Sequence, residues 1–312
     1  MKIFDAAKTA ELLPWGAVVE ALEQGFRDGC EMPVRHHHGV AAPADDPEAT
    51  LLLMPAWTAG GYLGVKVATV FPGNVSRGLG AVQASYILTS AVTGEPLALI
   101  DGLELTLRRT AAASALASKF LSRSDARRLL VVGTGNLAPH LAAAHAAVRP
   151  GIEVDFWGRR PEKAAEASRS PLARGLRTGT AADLEAAVRA ADIVSTATLA
   201  TRPLVFGSWL EPGVHVDLVG GFTPSMREAD DEAMRRATVF VDTRDGALVE
   251  AGDLTQPIES GALTPEDVAA DLYDLCRGEH GGRGTADEIT LFKSVGAALE
   301  DLFAAILLWE RS

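Results

Sequence analysis

The chain has 312 residues, enough for one large domain or two ordinary ones, each with its own core. Hydrophobic residues make up 47% and charged residues 22%, close to the globular average, which excludes wholesale disorder. Asp and Glu number 41 against 29 Lys and Arg, a formal net charge of −12, which argues against a nucleic-acid binder because that needs a basic face to displace counterions from phosphates.

The imbalance is local. Residues 227–301 hold 18 acidic and 7 basic side chains, whereas residues 1–226 hold 22 and 21. The simplest reading of the acidic stretch is a solvated face. Cys30 and Cys276 make neither a disulfide framework nor a zinc spacing. The opening MKIFDAAKTAELL has no basic segment leading into a sustained apolar run, and Leu302–Trp309 is too short to span a bilayer. The expectation is a reduced, cytoplasmic protein with no membrane or nucleic-acid partner.

In chain order, Leu12, Leu13, Val18, Val19, Leu22 and Phe26 recur at helical spacing and predict a helix over 10–27, with Pro14 in its first turn. Thr50–Met54, Tyr62–Val70 and Gln83–Ser90 read as strands of an antiparallel or mixed sheet. Thr106–Leu121, rich in alanine, reads as a long helix. From Arg127 the texture changes. Strands at Leu129–Val132, Glu153–Trp157, Ile193–Thr196, Val214–Val219 and Val239–Asp242 alternate with helical stretches such as Lys163–Ser168 and Asp183–Ala190. That alternation predicts an α/β fold with a parallel, doubly wound sheet, preceded by an N-terminal α+β domain. The domain limits expected are 1–121, completed by a C-terminal helix within 295–312, and 122–294.

Gly133-Thr134-Gly135-Asn136-Leu137-Ala138 follows a strand and opens a helix, the context a GxGxxA dinucleotide turn requires. The first glycine permits the turn, the second lets a pyrophosphate reach backbone amides, and the small third residue allows close helix–strand packing. The second strand ends Trp157-Gly158-Arg159-Arg160, with no carboxylate for a ribose diol. Two guanidiniums there suit a 2′-phosphate, so NADPH is preferred and NADH is possible. The Ser195-Thr196-Ala197-Thr198 run and Val219 end later strands; the hydroxyl residues either line the nicotinamide side of the crevice or cap their strand.

In the first domain Arg35, Lys66, Arg108 and Arg109 stand among apolar or small residues, where each is a solvated edge residue or part of a site. The run His36-His37-His38 alternates sides in an extended segment, so its three rings do not converge on one metal, and no metal site is expected. Asp287 and Glu288 read as caps of a helix beginning near FKSVG.

The segments LGVKVATVFPGN (63–74), TGEPLALIDG (93–102), LTLRRTAAASALASKFL (105–121) and VVGTGN (131–136) resemble the ornithine cyclodeaminase/mu-crystallin family. So do ADIVSTAT (191–198), LEPGVHVDLVGGFTPSMREAD (210–230) and EITLFKSVG (288–296), and the resemblance runs nearly the full chain in order. It implies a Rossmann domain joined to a dimerising substrate domain, with a site between them, and therefore a homodimer. It also implies that Arg35, Lys66 and Arg109 bind a substrate carboxylate, and that Thr110 and Ser294 lie near the cofactor.

Two departures matter. Family cyclodeaminases carry an aspartate straight after Gly-Gly, where this chain has Phe222, and a glutamate two residues before Met-Pro, where it has Leu52. Without those carboxylates nothing orients and deprotonates an ornithine amine. A carboxylate clamp with a hydride donor suits reduction of a cyclic imino acid, Δ1-pyrroline-2-carboxylate or Δ1-piperideine-2-carboxylate, with Lys66 supplying or relaying the proton. Alternative readings are an ornithine cyclodeaminase, an alanine dehydrogenase-like enzyme, and a non-enzymatic NADPH-linked binding protein.

Overall fold

The structure, a computed structural model, describes residues 1–43 and 46–312. It divides into two compact units, Met1–Thr110 with Ala298–Ser312, and Ala111–Ala297. The division falls within a long helix, after residue 110, where the sequence placed it after residue 121.

In the first unit β1 (Lys2–Phe4) is followed by α1 (Ala6–Leu12) and α2 (Trp15–Asp28). The single helix expected over 10–27 is thus two. Pro14 has no N–H, and its ring disfavours the helical region for Leu13, which sits at φ −114° and ψ 64°. The chain breaks there and restarts with Pro14 as the N-cap of α2, which buries Val18, Val19, Leu22 and Phe26. Next come β2 (His36–Val40), β3 (Ala49–Trp57), β4 (Tyr62–Val70), β5 (Val82–Ser90), β6 (Pro96–Asp101) and α3 (Gly102–Leu121).

The six strands form one sheet in the order β1-β6-β5-β4-β3-β2, antiparallel except for β1 beside β6. The histidine run is its edge strand β2, where His36 and His38 share a side with ring centroids 6.2 Å apart. Register places Met54, Lys66, Tyr86 and Ile100 side by side on one face. The C-terminal helix, Ala298–Glu310, packs on β3, β4 and α2. That helix starts at Ala298 and not at Val295. The opposite face of the sheet carries Leu53 beside Val67, and Pro55, Val65 and Ile87 in one row, all partly or wholly exposed.

The second unit runs β7 (Arg128–Val132), α4 (Leu137–Val148), β8 (Glu153–Trp157), α5 (Pro161–Ser168), β9 (Arg177–Thr180), α6 (Leu184–Ala190), β10 (Ile193–Thr196) and β11 (His215–Leu218). It continues with α7 (Asp231–Arg236), β12 (Thr238–Val241), α8 (Arg244–Glu250), α9 (Gly252–Ser260), β13 (Val268–Asp271), α10 (Leu272–Arg277) and β14 (Thr290–Lys293); the C-terminal helix is α11. All eight strands are parallel, in the order β13-β12-β14-β11-β10-β7-β8-β9. Covered on both faces by helices, the central strands read as continuous apolar runs such as Leu129–Val132. The strand order reverses between β7 and β10, the switch point at which doubly wound sheets open a crevice at their carboxyl ends.

β14 corrects the reading of the FKSVG segment. Thr290–Lys293 is a fully buried strand between β11 and β12, not the start of a helix. Glu288 accordingly caps no helix; it accepts hydrogen bonds from Thr238 Oγ1 (2.6 Å) and the Gly284 amide (2.5 Å).

Candidate active site and dinucleotide cleft

In the second unit the turn after β7 and the loop after β10 meet at the switch point. Gly133 has φ +130°, and a Cβ added there would stand 2.5 Å from the Ala197 carbonyl oxygen, so both the turn and the close approach demand glycine. At Gly135 an added Cβ meets nothing within 4 Å, and α4 begins without a side-chain cap. Open space over a helix N-terminus whose amides lack a protein cap is what a pyrophosphate fits. The cleft here has a volume of about 490 Å³ and is lined by Gly133, Thr134, Gly135, Trp157, Gly158 and Arg159 on one side. The loop Ala197–Arg202 with Leu204 forms the other.

Six sequence-predicted residues therefore come together: Gly133, Thr134, Gly135, Arg159, Ala197 and Thr198. Asn136, Leu137 and Arg160 adjoin the cleft in sequence without lining it. Arg202, which nothing in the sequence singled out, lines it as well. Thr196 is wholly buried behind the wall, and the hydroxyl question resolves by atom. Ser195 Oγ donates to Asp217 (2.5 Å), and the Thr196 and Thr198 hydroxyls donate to Glu228 (2.6 and 2.7 Å). Val219 is buried, its amide bonded to the Thr196 carbonyl (2.9 Å), and Ser294 follows β14 with its amide on Leu218 (3.2 Å). Thr110 belongs to the first unit, on α3.

The first unit gathers the cations. Lys66 of β4 and Arg109 of α3 are both buried, at 3% and 5% exposure, and Arg35 is half-buried and close enough to depress Lys66's pKa. They are not alone. Asp301 of α11 stands 2.6 Å from Lys66 Nζ and 3.1 Å from Arg109 Nε, and Glu300 lies 2.5 Å from Arg109 Nη1. Burial and the neighbouring Arg109 push the Lys66 ammonium down to about 8, against the pull of Asp301. Asp301 is itself held below the usual carboxylate range: burial alone would raise it, and Arg109 and Lys66 outweigh that. Tyr86 stands beside Lys66 with its hydroxyl buried, and burial, reinforced by Asp301, raises the phenol well above its ordinary range. Arg108, by contrast, serves structure. Its guanidinium binds Glu104 and the Leu13 carbonyl, both at 2.7 Å, and stacks over Trp15.

The reading of the acidic stretch as a solvated face holds for most of its carboxylates, with five exceptions. Glu228, Asp242, Asp253, Glu300 and Asp301 all lie within it and are fully buried. Nor is the clamp a bare cationic patch, because Lys66 and Arg109 are matched by two carboxylates. Phe222 is 44% exposed, so it is not a core aromatic. Leu52 lies in β3 opposite Ala68. Among the described residues, no group of three His, Cys, Asp or Glu is arranged to hold a metal, and no helix is long and apolar enough to cross a membrane.

A parallel sheet with a glycine turn at its switch point in the second unit, together with buried paired cations in the first, defines a Rossmann-type α/β protein with a candidate dinucleotide cleft. The match is to the ornithine cyclodeaminase/mu-crystallin family over residues 3–312, and the chain belongs to that family. It is 44% identical over 294 residues to a Δ1-pyrroline-2-carboxylate reductase of Paracoccus denitrificans, covering 94% of this chain and 91% of that one. Among solved structures it is similar to the Δ1-pyrroline-2-carboxylate reductase of Thermococcus litoralis in complex with NADH and L-proline. There the TM-score is 0.92 with 32% identity, covering 100% of this chain and 97% of the other. An archaeal alanine dehydrogenase dimer with bound NAD gives a TM-score of 0.90 with 29% identity, covering 100% and 95%.

Proposed function

We propose that this protein is an NAD(P)H-dependent reductase of cyclic imino acids, converting Δ1-pyrroline-2-carboxylate to L-proline and accepting Δ1-piperideine-2-carboxylate as a homologous substrate. The enzyme class is an NAD(P)-dependent oxidoreductase acting on a C=N bond, as in the reductases it resembles. The observation that carries the reading is the buried Lys66–Arg109 pair at the sheet face, joined by Arg35, in a chain with Leu52 and Phe222 where a cyclodeaminase has carboxylates.

When bound, the nicotinamide supplies a hydride to the imine carbon. This chain's residues do the rest. Arg109 and Arg35 fix the substrate carboxylate by charge-assisted hydrogen bonds, and Lys66 holds the ring's carboxylate edge and delivers a proton toward the imine nitrogen. A lysine poised at about 8 is largely protonated at neutral pH yet gives its proton up more readily than a free amine. NADPH is the preferred reductant, supported by Arg159 and Arg202 in the cleft and by the lack of a carboxylate at the end of β8. The protein acts in the cytoplasm as a homodimer. The dimer reading is supported by the apolar sheet face around Leu53, Val65, Val67 and Ile87, and Val65→Arg is expected to yield monomers by analytical ultracentrifugation.

The test follows NADPH and NADH oxidation with Δ1-pyrroline-2-carboxylate, Δ1-piperideine-2-carboxylate, and pyruvate with ammonia, beside ornithine deamination without reductant. Turnover of the cyclic imines with a higher kcat/KM for NADPH is expected. Ammonia release from ornithine, or no turnover with either imine, would refute the reading.

A further inference from the structure

We propose that Glu228 is a positioning residue for the dinucleotide, a buried carboxylate that braces the cleft wall formed by the loop after β10 and ties it to the loop after β11, with Asp253 and Lys293 holding it in place. The side chain sits between β11 and α7 and is wholly buried. Its Oε2 accepts from Thr196 Oγ1 (2.6 Å) and the Gly220 amide (2.7 Å). Its Oε1 accepts from the amide and the hydroxyl of Thr198, both at 2.7 Å. Four donors occupy the four acceptor positions of a carboxylate, and they come from the end of β10 with the loop after it and from the loop after β11.

The backbone around Glu228 completes the brace. Its carbonyl accepts from the Leu204 and Val205 amides at 2.8 and 3.0 Å, and the Arg227 amide donates to Ala200 at 2.7 Å. The cleft-lining run Ala197–Leu204 is thereby pinned at its start, middle and end by one short segment. That segment is seated in turn. Asp253 Oδ1 at the start of α9 accepts from the amides of Glu228 (2.7 Å) and Ala229 (3.1 Å). Its Oδ2 lies 3.2 Å from Lys293 Nζ of β14, and neither side chain is exposed.

Two carboxylates share one cation in the interior, and burial together with the Asp253 charge raises the Glu228 carboxyl above its usual range. A buried cluster of that kind is a poor route to stability, since apolar side chains would fill the volume at lower desolvation cost. What it does supply is directional: both Glu228 Oε1 bonds go to Thr198, which lines the cleft itself, and the Oε2 bonds hold the residues behind it. A crevice that must hold a flexible dinucleotide in one orientation gains from a wall that does not move.

The inference rests only on the part of the proposed function that places a dinucleotide in this cleft, and not on the imine. Glu228→Gln keeps the shape but turns an NH₂ group toward one backbone amide, that of Thr198 or of Gly220, which loses its acceptor while the neighbouring threonine hydroxyl can turn to accept. Thr196→Val removes a single bond to Glu228 from a residue that does not line the cleft. NADPH and NADH binding would be measured by nucleotide fluorescence and calorimetry on the full chain, with circular dichroism as the folding control. E228Q is expected to raise the dissociation constant at least about tenfold and T196V about threefold to tenfold. The double variant is expected to bind no more weakly than E228Q alone, because both act through the same brace. Binding within twofold of the wild type in a folded E228Q would overturn the proposal. Should E228Q not fold, unchanged binding in T196V would overturn it equally. Failure of the wild type to bind either nucleotide would instead sink the dinucleotide reading itself, a result the variants do not mimic.

Discussion

Asp301→Asn isolates the partner that keeps the Lys66 ammonium charged inside the protein. The Asp301 carboxylate lies 2.6 Å from Lys66 Nζ, with Arg109 also against it. At that separation a full charge pair is worth at most about 6 kcal/mol with an effective dielectric constant of about 20. The asparagine amide still accepts a hydrogen bond, so the expected loss is smaller: about one to three pKa units, the usual effect of one close opposite charge. Lys66, already pushed down to about 8 by burial and by Arg109, then titrates below neutrality. In the proposed mechanism the protonated amine is the active form, so lowering its pKa moves the alkaline fall in activity to lower pH.

The assay is kcat/KM for imine reduction from pH 5.5 to 9.5 at saturating NADPH. The substrate's own ionisation is common to both proteins and drops out of the comparison. Wild type is expected to decline above about pH 8. The variant should decline one to three units earlier, losing roughly three- to two-hundredfold at pH 7.5 and recovering part of it near pH 6. Breaking a buried pair also costs about 3–5 kcal/mol of stability, so thermal unfolding must be followed alongside, and the assay run well below the variant's Tm. An alkaline limb that stays in place in a folded, active variant would refute the assignment of that limb to Lys66.

Arg109→Met is expected to raise KM for the imine by at least about a hundredfold with cofactor affinity unchanged, because it removes a carboxylate contact and takes the guanidinium away from Glu300 and Asp301; Lys66→Met should abolish the alkaline limb together with most of kcat. Gly133→Ala places a Cβ 2.5 Å from the Ala197 carbonyl oxygen at a φ of +130°, so nucleotide binding measured by calorimetry should be lost and Tm lowered. Leu52→Glu with Phe222→Asp restores the two carboxylates of a cyclodeaminase. Imine reduction is expected to fall, and ammonia release from ornithine, followed with NAD and no reductant, would show that those two positions set the reaction type.

The parts of this protein legible along the chain are those whose physics is local. The glycine turn at 133–135, the apolar run before it and the absent carboxylate after Trp157 are all read within a few residues, because turn geometry and helix termini depend on neighbours in sequence. The break at Pro14 was local too, and was misread only because apolar spacing continues across it. Lys66 and Arg109 stood out as charges in apolar surroundings, and family resemblance assigned them a role.

Their partners were not legible. Asp301 follows Arg109 by 192 residues, and Lys293 lies 40 residues beyond Asp253. Net charge, which first read as a description of the surface, is summed along the chain without regard to depth. Two signals were present: Glu300 and Asp301 interrupt an otherwise apolar helix, and Lys293 ends the run Thr290-Leu291-Phe292. The sequence by itself determined the fold class and the glycine turn, and marked out the cations proposed for the clamp. Only the tertiary structure decided where the acid goes, because a charge leaves water only when folding brings it a partner, and here the partners come from distant elements of each unit.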